Sequence, residues 1–153
     1  MPRLGFHRST LVLSFLAAVA LALASPAFAQ GPGVRGGASV DPDQFYLGGH
    51  YETSPLFRRV YARPNAEIGW GDDVTTVGLN FEFIYKYPVS RPWSIYGGGG
   101  PAINIYSFDE DTDAEGGLNF VFGAETSRGL FFEMKFGAFD SPDLKFGVGY
   151  TWK

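Results

Sequence analysis

The chain has 153 residues with no Cys, 21 Gly, 15 Phe, 8 Tyr and 3 Trp. This length suits a single domain, and an apolar content of 45% is too high for a disordered protein. Abundant Gly and aromatic residues, with only 2 Met, favour β-structure over helix.

The first segment has the three parts of a secretory signal peptide. These parts are a basic start with Arg3 and Arg8, an apolar stretch of 14 residues from Leu11 to Ala24, and the small-x-small site Ala27-Phe28-Ala29. The alternative is a membrane anchor, but a spanning helix needs about 20 apolar residues. We therefore predict a signal peptide over 1–29, cleaved after Ala29, and one mature domain over 30–153.

The net charge of the mature chain limits its partners, and the absence of Cys limits how its fold can be stabilised. Ten basic residues against sixteen acidic ones leave it a net charge of −6 once the two signal-peptide arginines are removed. An acidic surface argues against a nucleic-acid partner. Export without Cys means that the fold must be stable without disulfides.

Period-two alternation of apolar and other residues recurs along the mature chain and predicts strands. The clearest example runs from Val77 to Tyr87, and the pattern returns at Leu130 to Phe136 and Leu144 to Trp152. Seven turn signals separate eight predicted strands, with seven strands as the nearest other count. The predicted segments are 34–40, 44–53, 57–70, 74–87, 93–108, 117–127, 129–139 and 144–153. We expect β-bulges at Pro64 and Pro101, since proline has no N–H for the ladder.

Alternation alone does not say whether the apolar face points into a soluble barrel or out to lipid. Here the apolar face is bulky on nearly every strand, whereas the other face is rich in Gly and small residues. Eight strands enclose a lumen that side chains just fill, so a full set of inward aromatic rings would not fit. The composition of the two faces therefore favours a transmembrane barrel.

By parity, the minor face carries equal numbers of basic and acidic residues. Buried charges need partners, and a filled polar lumen supplies them, although a soluble sheet with a solvated outer face also balances its charges. The predicted lumen network consists of Arg35, Glu52, Arg63, Glu67, Glu82, Lys86, Glu125, Glu133, Lys135 and Lys145.

Aromatic residues gather at strand ends, as they do at the two interfaces of a membrane. With eight strands, both termini lie at the same end of the barrel, and five aromatic residues fall at that rim. This predicted periplasmic girdle consists of Tyr85, Tyr87, Trp93, Tyr150 and Trp152. Phe45, Trp70 and Phe108 fall nearer the opposite rim.

The exported eight-segment pattern and the ending Phe146-Gly-Val-Gly-Tyr-Thr-Trp152 resemble small bacterial outer-membrane β-barrel proteins, including OmpX-like and OmpW-like members. Gln44 to His50 and Tyr96 to Ala102 share that character. Such proteins usually end on an aromatic residue, whereas here Lys153 follows Trp152. The resemblance implies location in the bacterial outer membrane and insertion by the barrel-assembly machinery, with outer-membrane lipids and lipopolysaccharide as further partners. It implies no reaction.

Candidates for chemistry are few. His50 is the one His of the mature chain, with Glu52 and Ser54 nearby, and a lipid-modifying hydrolase or acyltransferase would need such a base. A hydrogen-bonded structural role fits a luminal His better. Asp109, Asp111 and Asp113 match the first ligands of a calcium loop, but Ala114 and Phe120 stand where that loop needs Gly and Glu.

We therefore predict an all-β, eight-stranded antiparallel transmembrane barrel without catalytic, cofactor or metal residues. Its expected role is structural, surface interaction or porin-like passage of a small apolar molecule. Two alternatives stay open: a lipid-modifying enzyme built on His50, and a soluble, exported, lipocalin-like barrel that binds an apolar ligand.

Overall fold

The structure is a computed structural model that describes residues 29–153, with side chains from Gly31 onward. Most of the predicted signal peptide lies outside the described residues. The eight strands are β1 Ala29–Val40, β2 Gln44–Thr53, β3 Val60–Trp70, β4 Thr75–Ser90, β5 Trp93–Ser107, β6 Thr112–Thr126, β7 Leu130–Phe139 and β8 Leu144–Thr151. Within residues 29–153, no helix is long and apolar enough to cross a membrane.

The strands form a closed barrel in which each pairs with its sequence neighbours and β1 pairs antiparallel with β8. Closure leaves no open sheet edge, so each strand has a pairing partner on both sides. The predicted eight-stranded antiparallel barrel is confirmed.

Strand boundaries differ from the prediction most at β1 and β6, each of which begins five residues earlier than predicted. The turn predicted between β5 and β6, from Asp109 to Gly117, is present but shorter than predicted, because β6 begins at Thr112 and its first residues pair with the end of β5, from Ser107↔Thr112 to Ala102↔Gly117. The acidic segment thus forms a hairpin that continues beyond the first pairing of β6 with β7, at Gly117↔Phe139. Acidic composition suggested a loop, but backbone pairing with β5 extends the strand.

The predicted bulges at Pro64 and Pro101 are also wrong. The β3–β4 register runs unshifted through Pro64↔Phe81, and the β4–β5 register is the same on either side of Pro101. Each proline interrupts a ladder instead. The β2–β3 ladder stops at His50↔Asn65, one residue short of Pro64, and the β4–β5 ladder lacks pairs between Asn80↔Ala102 and Phe83↔Gly99. A missing N–H removes a hydrogen bond without adding a residue, so the register is kept.

Candidate functional site: a sealed ionic lumen between two oppositely charged rims

The outer face of the barrel is apolar and open to its surroundings. Phe81, Phe83, Phe120 and Phe146 point outward with 43–49% of each side chain exposed. Alternate residues on the same strands point into the barrel and are mostly polar and buried. This polarity is the reverse of that of a soluble barrel.

The ten charged residues of the predicted lumen network all lie inside the barrel and are at most 7% exposed. Neighbouring positions on one strand face alternate sides, so these residues share the inner face through their sequence parity. Their partners come from strands across the lumen, which parity does not specify.

Two clusters of ion pairs fill the lumen. In the cluster nearer the chain termini, Glu52 accepts from Arg63 at 2.7 Å and from Lys86 at 2.5 Å. Lys86 also pairs with Glu125 at 2.7 Å. One carboxylate therefore ties β2 to both β3 and β4.

In the second cluster, Glu67 is held by Lys135 at 2.9 Å and Lys145 at 2.6 Å. Lys135 also lies 2.6 Å from Glu82, and Arg35 lies 3.5 Å from Glu67. The positive charges here outnumber the nearest carboxylates, and Glu133 completes the balance from β7.

Glu133 joins the two clusters. Its carboxylate accepts from Arg35 at 2.8 Å and from Tyr96 Oη at 2.8 Å, and lies 3.5 Å from Arg63. Both guanidinium groups also stack on Phe131, at 5.5 Å for Arg35 and 5.1 Å for Arg63. Sequence analysis missed Tyr96 and Phe131, whose inward parity is the only signal they give.

A chain of amides crosses the lumen beside these clusters. Asn119 donates to Asn80 at 2.6 Å, and Asn80 donates to Asn65 at 2.7 Å. A luminal cavity beside Lys145 has a volume of about 10 Å³, about one water molecule in size. The charged side chains and the amides therefore fill the part of the lumen that they line.

His50 lies in the lumen wall, where both ring nitrogens face side chains of the barrel. Its Nε2 is 2.9 Å from Thr151 Oγ1, and its Nδ1 is 3.4 Å from Arg35 Nε. The carboxylate of Glu52 is taken up by Arg63 and Lys86. The structure therefore does not bring His50, Glu52 and Ser54 together as a relay.

The five girdle aromatic residues lie on the outer face around the end of the barrel that carries the termini. They are between 37% and 54% exposed. Phe45, Trp70 and Phe108 lie toward the opposite end, together with Phe139, which sequence analysis did not single out. The two aromatic groups bracket the apolar belt of the wall.

The remaining charges separate completely between the two ends of the barrel. Within residues 29–153, the end with the termini carries outside the lumen only basic residues: Arg58, Arg59, Arg91, Arg128 and Lys153. The opposite end carries only acidic residues: Asp41, Asp43, Asp72, Asp73, Asp109, Glu110, Asp111, Asp113, Glu115, Asp140 and Asp143. We call these the basic rim and the acidic rim.

The acidic rim shows the repulsion that such crowding produces. Asp140 raises the pKa of the exposed Glu115 carboxyl above its ordinary value, and Asp113 adds to the shift. Among the described residues, no group of three or more His, Asp or Glu side chains is arranged to hold a metal ion.

Comparison with solved structures shows a likeness of fold. The N-terminal β-barrel domain of Pseudomonas aeruginosa OprF superposes with a TM-score of 0.57 and is 14% identical, covering 81% of this chain and 99% of that one. The two chains share a fold. No protein-family model matches the chain, and no curated protein matches it at a significant level.

Proposed function

We propose that the protein is an integral β-barrel of a bacterial outer membrane, with a structural and surface-presenting role and a sealed lumen. The observation that carries this proposal is the reversed polarity of the wall, with exposed Phe81, Phe83, Phe120 and Phe146 outside and ten buried charges inside. In water such a wall would expose a continuous apolar belt, whereas in lipid the belt is solvated and the closed ladder satisfies the backbone.

The likeness to the OprF barrel supports this placement, since OprF is an outer-membrane protein. Within that class, we propose a barrel of the OmpX-like or OmpW-like kind, which the alternation pattern of the sequence resembles. The proposed partners are outer-membrane lipids, lipopolysaccharide and the barrel-assembly machinery, with no nucleic acid. The acidic rim would face outward and the basic rim would face the periplasm.

The packed lumen supports a structural role over open passage. An eight-stranded barrel leaves little space inside, and here the Glu52 and Glu67 clusters, joined by Glu133, occupy it. Moving an ion through would require breaking buried ion pairs. The contacts of His50 with Thr151 and Arg35 likewise support a structural role for this residue over lipid chemistry.

Detergent dependence and gel migration test the membrane assignment. We expect the purified mature chain to stay dispersed only in detergent or lipid, and its unboiled form to migrate differently from its boiled form on a denaturing gel. A monodisperse protein in plain buffer would overturn the proposal.

Planar-bilayer recording tests the sealed lumen. We expect no steady open-channel conductance from the wild-type barrel, and frequent opening after Glu133→Ala, which removes the link between the two clusters. A steady conductance in the wild type would contradict a sealed lumen while leaving the membrane assignment standing.

A further inference from the structure

The outer wall has a groove of about 570 Å³ on the side formed by β1 to β5. Three prolines and two small residues line it where bulky side chains occur elsewhere on the belt: Pro32, Gly49, Pro64, Ala66 and Pro101. Tyr51, Leu79, Phe81 and Ile103 supply further apolar lining. The groove is therefore lined mainly by apolar residues, and His50, Asn65 and Asn80 of the lumen wall also border it.

The groove lies over the place where the β2–β3 ladder ends. Beyond His50↔Asn65 the two strands continue without paired backbone, and the N–H of Ala62 is taken by Thr53 Oγ1 at 3.0 Å. Alternate residues of a strand direct their backbone groups to the same side, so Pro64, two residues after Ala62, places its missing N–H in this gap. Neither of these two positions therefore leaves an unpaired backbone N–H in the gap.

The turn that joins β2 to β3 carries two arginines directly beyond the groove. Arg58 and Arg59 are exposed, and neither forms an ion pair with a described residue. Arg58 lies 5.4 Å from the ring of Phe57, and Arg59 lies 5.7 Å from the ring of the girdle residue Tyr87. The contact with Tyr87 holds the guanidinium group of Arg59 at the level of the aromatic girdle, and Arg58 is the preceding residue of the same turn.

The distance from the two arginines to the middle of the groove is close to the hydrocarbon thickness of one bilayer leaflet. Arg59 and Pro64 are five residues apart, roughly 17 Å along an extended strand. One leaflet of a bilayer has about 15 Å of hydrocarbon. A phosphate at Arg58 and Arg59 would therefore place an acyl chain of the same molecule along the groove.

We propose that the β2–β3 side of the barrel is a binding site for one anionic phospholipid. Its phosphate contacts Arg58 and Arg59, and one acyl chain lies in the groove between Pro32, Pro64 and Pro101. The proposal rests on the membrane placement argued above, because only a lipid-facing groove meets acyl chains. Charge complementarity selects the anionic headgroup, since the basic rim carries no acidic residue within 29–153.

Native mass spectrometry of the detergent-solubilised barrel tests the site. The probes are phosphatidylglycerol and phosphatidylcholine with the same acyl chains, added in equal amounts. We expect bound phosphatidylglycerol to exceed phosphatidylcholine, and Arg58→Gln/Arg59→Gln to weaken phosphatidylglycerol binding about fivefold for each arginine removed.

The matched control is Arg91→Gln/Arg128→Gln, which removes the same charge from the same rim at other turns. A second outer depression of about 390 Å³ lies between β6, β7 and β8, on the side of Arg128, so this control also tests that location. An equal loss in both double variants would show binding to the whole rim and would overturn the site.

Filling the groove tests the acyl chain independently. Gly49→Leu projects into the groove from a position where a Cβ meets its nearest atom at 3.7 Å, so the barrel should still fold. We expect it to reduce bound phosphatidylglycerol. Gly116→Leu, where a Cβ meets nothing within 4 Å, should have no effect.

The outcomes separate this proposal from the membrane assignment. Equal binding of the two lipids by a barrel that still shows heat-dependent migration would overturn only the phospholipid site. Loss of heat-dependent migration in the wild-type protein would overturn the membrane placement itself.

Discussion

The β5–β6 and β2–β3 seams of the barrel are held together in different ways. β5 and β6 pair along their whole length, from Trp93↔Thr126 to Ser107↔Thr112. β2 and β3 pair only from Phe45↔Trp70 to His50↔Asn65, and their remaining halves are joined by side chains. The Arg63–Glu52 ion pair and the Ala62–Thr53 hydrogen bond cross the unpaired stretch. Side-chain contacts thus replace the ladder at one seam and leave room for a groove outside it.

We call the unpaired stretch between β2 and β3 the open seam. The largest expected effect comes from removing the ion pair that crosses it. Arg63→Met leaves Glu52 and Glu133 short of a buried partner, and breaking a buried pair from one side costs about 3–5 kcal/mol. We expect that loss in the free energy of unfolding, measured by urea titration of the barrel folded in lipid vesicles.

Lys145→Met is the control for this prediction. Its partner Glu67 keeps Lys135 at 2.9 Å and Arg35 at 3.5 Å, and neither contact crosses the open seam. A loss as large as that of Arg63→Met would show that the open seam has no special dependence on its ion pair.

A glycine pair compares the packing of the outer wall beside the two seams. Gly99 and Gly49 both face outward, but a Cβ at Gly99 would lie 2.5 Å from Asn119 O on β6, whereas a Cβ at Gly49 meets its nearest atom, Gly33 O on β1, at 3.7 Å and no atom of β3 within 4 Å. We expect Gly99→Ala to cost about 2 kcal/mol through overpacking, and Gly49→Ala to change stability by less than about 0.5 kcal/mol. Urea titration of the two variants checks the difference, and equal costs would contradict the contrast between seams.

The smallest expected effect is at the hydroxyl that caps the open seam. Thr53→Val keeps the shape of the side chain but removes the acceptor of the Ala62 N–H, at a cost of about 1 kcal/mol. Faster hydrogen exchange of the Ala62 amide, with slow exchange kept along the β5–β6 ladder, is the measurement. Unchanged protection at Ala62 would mean that another group accepts from this N–H.

The sequence by itself determined which residues face which way. A strand repeats every two residues, so alternation from Val77 to Tyr87 placed Phe81 and Glu82 on opposite faces. The bulk of the apolar face, which an eight-stranded lumen cannot hold, then directed Phe81 outward. The same parity assigned all ten luminal charges, and strand order placed the girdle from Tyr85 to Trp152 at one rim. The sequence also contains the separation of the charges outside the lumen into a basic and an acidic rim, because alternate turns of an antiparallel barrel lie at the same end.

Tertiary structure decided which groups meet and where the ladder stops. Glu52 bonds Arg63 and Lys86 because barrel closure and strand stagger bring those positions together, and neither is encoded in local pattern. The acidic residues from Thr112 became strand because β5 offered them backbone partners. Pro64 ended a ladder without adding a bulge because its missing N–H faces β2, a direction that only the assembled sheet defines.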